Sequence, residues 1–263
     1  MSQTLRHPEI LDIARREGKV TVDGLARHFD VTLQTIRRDL AELAESGLLE
    51  RVHGGAVLPS GTSNIGYDER RRLNGEAKAA MGRACAALIP SDASLFLAIG
   101  TSTEAVAREL LRHRNLLAVT NNINVASTLM ANPDCQVVLA GGTIRRSDGG
   151  IVGPLTQQTL RQFKFDVAVI GCSGLDEEGD LLDFDMQEVG VSQAILAQSR
   201  RTILVADHSK FQRTAPVRIA SLGDLGAFVT DRALSAALAD RCREWGTQVV
   251  EAPVPAWAAR PEP

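Results

Sequence analysis

The sequence holds only four cysteines, Cys85, Cys135, Cys172 and Cys242, with no C-x-x-C pair and no histidine at ligand spacing. That excludes a zinc finger or ribbon and gives no sign of a secreted disulfide framework, so the thiols are expected to be reduced and mostly buried. No apolar run approaches the roughly 18 residues of a membrane span, and the opening MSQTLRHPEI lacks the charged-then-apolar pattern of a signal peptide. A cytoplasmic protein without membrane contact is the expectation. Net charge is also scarce. The 29 basic residues against 32 acidic ones leave -3 at pH 7, which excludes a generally polybasic nucleic-acid binder, so any such contact has to be local. Neither G-x-x-x-x-G-K-[ST] nor G-x-G-x-x-G is present, so no nucleoside triphosphate or dinucleotide is favoured and no cofactor is expected. No hydrolase-like order of Ser, His and Asp is seen either.

What the chain does contain, over its 263 residues, suggests two unequal domains. In residues 1–58, Ile10, Ile13 and Ala14 share one face of a helix expected to start near Pro8 and end at Gly18. KVTV then gives a β-prone stretch, followed by a second helix with Leu25, Ala26 and Phe29 inward, capped by Thr21 and stopping near Asp30. Thr32 is placed to cap a third helix in which Ile36, Leu40 and Leu43 follow the i, i+4, i+7 rule. After Gly47, LLERVHGGA reads as a strand turning at Gly54 and Gly55 and able to pair with KVTV.

Helix, strand, helix, turn, helix and wing is the plan of a winged helix-turn-helix, in which the front of the motif's second helix meets base edges in the major groove. Gln34, Thr35, Arg37 and Arg38 occupy the first turns of the third helix, mostly away from the Ile36 face. An arginine there can fork onto guanine or clamp a phosphate, and a glutamine can read adenine. The plainer alternative is that the arginines solvate an amphipathic helix and pair with Glu42. The DNA-contact candidates are Thr21, Thr32, Gln34, Thr35, Arg37, Arg38, Arg51 and His53.

Residues 59–75, rich in Pro, Ser, Gly, Asn and charge, read as a linker leading into a helix over about 76–88. Arg70, Arg71 and Arg72 form its basic run, either a solvated stretch or a contact to DNA backbone. Residues 76–250 repeat one grammar: the apolar runs SLFLAIG, NLLAVTNN, CQVVLAGG, FDVAVIGC, RTILVADH and LGAFVTD alternate with helical stretches. Runs buried on both faces and alternating with helices imply a mostly parallel, Rossmann-like α/β sheet. Ligands of such sheets sit beyond the strands' carboxyl ends. Those ends carry Gly100, Thr101, Ser102, Thr103, Thr120, Asn121, Asn122, Gly141, Gly142, Gly171, Asp207 and Lys210, with Glu188 as a further carboxylate. IGTSTEAVARELL in particular places a glycine and three hydroxyl residues before a helix N-terminus, a cradle suited to phosphate or, more simply, a capped turn. Residues 251–263 read as a disordered tail.

VTLQTIRRDLAELAESGLLERVHGGA resembles the signature of the DeoR-type (deoxyribose-operon repressor type) regulators, with TIRRDL on the recognition helix and R-x-H-G-G-A closing the wing. The likeness continues through VTNNINVASTLM, LAGGTIRRSDGGIVG, GCSGLDEEGDLLDFDMQEV and VADHSKF, from about residue 5 to about 240. It implies a larger domain similar in fold to ribose-5-phosphate isomerase and a repressor rather than an enzyme; because one winged helix buries too little surface for tight specific binding, a dimer or tetramer is expected. Operator DNA and a small phosphorylated metabolite are the implied partners, with glycerol 3-phosphate first and another sugar phosphate as the alternative. The remaining rival is a sugar-phosphate isomerase using Asp207, Glu188 and Lys210. Two departures stand out. Ala98 replaces an Asp common in the family two residues before Gly100, and Val189, Gly190, Val191, Ser192 and Gln193 supply no Lys or Arg after Glu188.

Overall fold

A computed structural model describes residues 3–17, 19–46, 48–52, 54–57, 66–213 and 215–253. The first part of the chain forms α1 (Gln3–Glu17), β1 (Lys19–Thr21), α2 (Val22–Phe29), α3 (Leu33–Glu45), β2 (Glu50–Val52) and β3 (Gly55–Val57). The caps act as their residue types suggest. Thr21 accepts from the Gly24 N–H at 3.1 Å to start α2, Asp30 closes that helix in the left-handed region, and Thr32 accepts from the Thr35 N–H at 3.2 Å to start α3. Ile10, Ala14, Leu25, Ala26, Phe29, Ile36, Leu40 and Leu43 form one buried cluster, with Ile13 at its margin. The strand order is β1-β3-β2, all antiparallel. β3 runs so close to β1 that a Cβ on Gly55 would lie 1.9 Å from the Val20 carbonyl oxygen, which is why the wing has glycine there. One boundary differs from the sequence expectation: α1 begins at Gln3 and carries Pro8 inside it. Gly18 and Gly47 lie outside the described residues.

The larger domain is built on a parallel seven-stranded sheet. Its first half holds α5 (Gly75–Ala86), preceded by α4 (Tyr67–Arg72), then β4 (Ser94–Leu97), α6 (Thr101–Glu109), β5 (Leu116–Thr120), α7 (Ile123–Leu129) and β6 (Cys135–Leu139). A hairpin of β7 (Thr143–Arg145) and β8 (Gly150–Val152) leads to α8 (Pro154–Leu160) and β9 (Phe165–Ile170). Then come β10 (Gly174–Leu175), β11 (Asp180–Asp183), α9 (Met186–Gln198), β12 (Ser199–Val205), β13 (Val217–Ser221), β14 (Ala227–Thr230), α10 (Ala236–Trp245) and β15 (Gln248–Glu251).

The main sheet is ordered β15-β14-β12-β9-β4-β5-β6, and alternate residues of its strands feed two cores, one on each face. Phe96, Ile170, Leu204 and Phe228 face one side; Leu95, Leu97, Val169, Ile203 and Val229 face the other. The six apolar runs are the six inner-to-edge strands β4, β5, β6, β9, β12 and β14. The chain fills β4, β5 and β6 outward, then returns to the other side of β4 for β9, so the order reverses between β4 and β9. That switch point is where an open parallel sheet leaves a crevice.

Three features correct or extend the sequence reading. Within the linker, residues 67–72 are helical and packed on the α/β domain. The sheet continues past residue 250, with Glu251 in β15 and Ala252 buried; residues 254–263 lie outside the described residues. The β7–β8 hairpin and the small antiparallel sheet β10-β11-β13 have no counterpart among the expected elements.

Candidate functional site

On the smaller domain, α3 presents Gln34, Arg37 and Arg38 to solvent while Ile36, Asp39 and Leu40 are buried. A cleft of about 580 Å³ over this face is lined by Arg6, Thr32, Gln34, Thr35, Arg37, Arg38 and Asp39. The Arg37 side chain is exposed and its carbonyl accepts from Arg51 Nη1 at 3.3 Å, so Arg51 braces β2 against the helix. Arg38 Nε donates to Glu42 Oε1 at 3.1 Å, the i+4 pair foreseen as the plainer role; at 77% side-chain exposure that pair is weak. Thr21 and Thr32 use their oxygens as caps, and His53 lies outside the described residues.

A residue that sequence reasoning missed holds this face in place. Asp39, 1% exposed, takes a bidentate pair from Arg6 of α1, with Nε to Oδ2 at 2.8 Å and Nη2 to Oδ1 at 3.2 Å. A fork-on-carboxylate pair fixes orientation as well as distance. Helix α3 is thereby keyed to α1.

At the switch point of the sheet the loop after β4 turns at Gly100, where φ is +143°, and α6 starts without a side-chain cap. Its first amides therefore have no partner within the helix, and they carry the positive end of its dipole. Thr101 and Ser102 are buried beside them. Thr103 is committed elsewhere, its hydroxyl donating to the carbonyls of Ala98 and Gly100 at 2.8 and 2.7 Å.

Four cations from two stretches of chain cluster by Asp207: Lys78, Lys210 and Arg213 act on its carboxylate, and Arg70, whose carbonyl accepts from the Thr101 hydroxyl of this cradle, acts on Lys78 and Arg213. Arg70 and Lys78 come from the α4–α5 segment, and Lys210 and Arg213 from the 3-10 turn His208–Gln212 and its end. Burial, with Arg213 and Arg70 adding repulsion against the pull of Asp207, brings Lys78 down to about 8. Burial and Arg213 bring Lys210 down to about 8 as well. Asp207 responds in the opposite sense: burial alone would raise it, but Lys210, the Ser209 hydroxyl, Lys78 and Arg213 hold it at about 2. Lys210 and Arg213 form no ion pair among the described residues, and the buried Arg70 Nε and Arg213 Nη1 have no hydrogen-bond partner. Such a cluster is short of negative charge, and an anion bound there relieves it.

The α4–α5 segment roofs the crevice. Asn74 Nδ2 donates to Asp207 Oδ1 at 3.0 Å, the Thr101 hydroxyl donates to the Arg70 carbonyl at 3.4 Å, and Lys78 Nζ donates to the carbonyls of Arg70 and Leu73. The Tyr67 hydroxyl donates to Glu104 at 3.0 Å, and its own pKa is pushed up to about 12 by burial and by that carboxylate. Of the basic run, Arg70 thus faces the crevice, where it also pairs with Asp148 at 3.3 Å, while Arg71 and Arg72 are exposed.

Glu188 lies in an adjoining cleft of about 400 Å³ with Tyr67, Arg70, Arg145 and Asp148 among its walls. Arg145 is a hub there, 2.6 Å from both Asp148 Oδ2 and Glu188 Oε2 and 2.8 Å from Asp185 Oδ2. Burial and Asp183 raise Glu188 to about 7 against the pull of Arg145. The cation beside Glu188 therefore comes from the β7 hairpin, whereas Val189 and Val191 after it are buried in the core.

The other expected ligand residues also make framework contacts, while Asn121 Oδ1 and Asn122 Nδ2 are buried without a hydrogen-bond partner. Thr120 donates to the Leu97 carbonyl at 2.7 Å, Asn121 Nδ2 to the Ile151 carbonyl at 2.9 Å, and Asn122 caps α7. Gly141 and Gly142 form the base of the hairpin; at Gly142, φ is +150° and a Cβ would meet Thr156 Oγ1 at 2.1 Å. Gly171 opens the loop after β9, beside the Ile99 carbonyl. Ala98 is buried in the core.

Residues 73–232 match the family model of the DeoR C terminal sensor domain, and residues 6–62 that of the DeoR-like helix-turn-helix domain. The chain is 47% identical over 231 residues to the glycerol-3-phosphate regulon repressor of Escherichia coli (strain K12), covering 88% of this chain and 92% of that one. It is 36% identical over 245 residues to the HTH-type transcriptional repressor CsqR of the same organism, covering 93% and 94%. Among solved structures, ribose 5-phosphate isomerase A from Methanocaldococcus jannaschii has a TM-score of 0.39 at 13% identity, over 52% of this chain and 54% of that one.

Proposed function

The chain belongs to the DeoR family of transcriptional repressors, and from that premise we propose that a small phosphorylated metabolite, glycerol 3-phosphate above other sugar phosphates, releases it from its operator. The observation that carries the effector reading is the cluster of Arg70, Lys78, Lys210 and Arg213 by Asp207, joined through Arg70 to the uncapped start of α6, with unpartnered guanidinium nitrogens and two lysines brought down to about 8. A phosphate monoester is close to a dianion at neutral pH and offers three acceptor oxygens, which suits several converging cations and helix amides. The 47% identity to a glycerol-3-phosphate regulon repressor supports the choice of ester. The adjoining cleft at Arg145, Asp148 and Glu188 has donors and acceptors for the hydroxyls of a short polyol.

On the DNA side, Gln34, Thr35 and Arg37 face the major groove in this reading, with Arg38 beside them and Arg51 bracing the wing. One winged helix covers too little surface for tight specific binding, so the repressor acts as a dimer or tetramer on repeated half-sites. No described helix is long and apolar enough to cross a membrane, in keeping with a cytoplasmic repressor.

A thermal-shift panel of phosphorylated C3 to C6 compounds tests the effector. A ligand at about 100 times its dissociation constant adds about 2.7 kcal/mol to stability. Glycerol 3-phosphate is expected to give the largest shift and to weaken operator binding. Stabilisation by hexose phosphates alone would overturn that choice, and robust turnover in an isomerase assay would overturn the repressor-sensor reading of the crevice.

A further inference from the structure

The turn His208–Gln212 faces two ways. Asp207 and Lys210 belong to the crevice, with Asp207 Oδ1 accepting from Asn74 Nδ2 at 3.0 Å and from the Ser209 N–H at 3.1 Å. His208, between them, is turned outward toward the DNA-binding domain. Its backbone N–H donates to Asp231 Oδ1 at 2.7 Å and its Nδ1 lies 2.9 Å from Asp231 Oδ2, so one carboxylate fixes both the turn and the ring. The opposite ring nitrogen, Nε2, is buried, makes no hydrogen bond and lies 4.0 Å from Glu17 Oε2. Glu17 is the last residue of α1, and the same oxygen is 3.5 Å from Nη2 of Arg232, the residue after Asp231.

We propose that His208, with Glu17 and Arg232, is the relay by which the effector crevice and the DNA-binding domain sense each other. The inference rests on the effector reading above. The reason is mechanical. A separation of 4.0 Å is outside hydrogen-bond range, and a movement of about 1 Å makes or breaks the contact. A phosphate held by Lys210 and Arg213 pulls on the turn that carries His208, whose two neighbours in sequence, Asp207 and Ser209, are themselves hydrogen-bonded inside the crevice. Because α1 is keyed to the recognition helix by Arg6 and Asp39, displacement of Glu17 is transmitted to α3 as a rigid unit. His208 is a positioning residue in this scheme and touches neither DNA nor effector. The linker roof at Asn74 is the second connection between the same two regions, which predicts partial rather than total dependence on the relay.

The test uses the full-length protein and two variants, Glu17→Gln on the DNA-binding side and His208→Gln on the effector side. The parent is first screened for thermal shift with the phosphate-ester panel. Operator affinity without ester, ester affinity without DNA, and operator affinity at saturating ester are then measured with glycerol 3-phosphate or the ester that stabilises the parent most. The parent ratio of operator affinities is expected to fall in the usual allosteric range of about 5- to 150-fold. Each variant is expected to bind operator alone and ester alone within about fivefold of the parent, while the ratio drops at least threefold. A variant that only destabilised the fold would instead lower the separate affinities.

An unchanged ratio in both variants overturns the relay. So does loss of ratio in His208→Gln alone, since the contact with Glu17 would then not be the route, and so does loss of ester binding in His208→Gln, which would make His208 part of the crevice. A parent stabilised by none of the esters refutes the effector reading, and the relay with it; a parent that binds and responds while both variants respond equally refutes only the relay.

Discussion

Removing the Asp39 carboxylate should strongly destabilise the DNA-binding domain while leaving the sensor domain intact. The pair it forms with Arg6 is bidentate, and the two side chains are 8% and 1% exposed. Deleting one partner of such a buried pair costs up to about 3 to 5 kcal/mol. Arg6 keeps a contact besides Asp39, so the low end, about 3 kcal/mol, is the figure for Asp39→Ala. A domain of this size has a total stability of about 3 to 8 kcal/mol. The loss is therefore between about two-fifths and all of the domain's stability.

Two-domain thermal melts, with hydrogen exchange to assign each transition, should show the N-terminal transition lowered or absent and the larger one unmoved. Operator binding should fall in proportion. The double variant Arg6→Met with Asp39→Leu removes both charges and replaces them with apolar volume, which is often neutral or stabilising, so it should recover most of the lost stability. If Asp39→Ala melts like the parent and binds operator within threefold, the pair contributes little and α1 is not keyed to α3 as described. If affinity holds but base preference changes, Asp39 reads DNA and its burial has been misjudged.

Arg37→Ala should weaken operator binding by about 1 to 3 kcal/mol without altering effector affinity; relaxed preference at one operator position would identify a base contact, and an even loss with a shallower salt slope a phosphate contact. Unchanged affinity for Arg37→Ala and Arg38→Ala together would reduce both to a solvated face. Thr101→Glu places a like charge in the phosphate cradle and should give a protein that binds operator but ignores glycerol 3-phosphate; a parental response in anisotropy titrations would move the site elsewhere. Effector affinity should fall as pH rises, because Lys78 and Lys210 lose their protons near 8 in the free protein and regain them on binding a dianion: at least about tenfold between pH 7.5 and 9.5. Effector-free stability should move the other way. The unfolded chain holds more protons than the folded one between about 8 and the ordinary lysine value of 10.5, so these two groups add stability as pH climbs through that window, and calorimetry showing no opposition between the two trends would count against the buried lysine cluster.

The local features of this protein were legible in its sequence because they depend on short-range geometry. Thr21 and Thr32 cap helices wherever those helices sit, Ile36, Leu40 and Leu43 share a face because of the helical period, and short β-branched runs such as FDVAVIGC, alternating with helical stretches, read as strands buried on both sides. The ends of those strands named the crevice through Gly100, Thr101, Asp207 and Lys210. What tertiary structure decided was the fate of the charges. Arg70 reads in sequence as part of a solvated linker and Lys78 as a residue of the helix after it, yet the packing of the α4–α5 segment turns both toward the crevice. Arg6 and Asp39 stand 33 residues apart, and Arg145 and Glu188 43 apart, with no local pattern joining either pair. A charged side chain costs little in water and much in the interior, so its role is fixed by which partner the fold brings to it, and that is a property of the assembled chain.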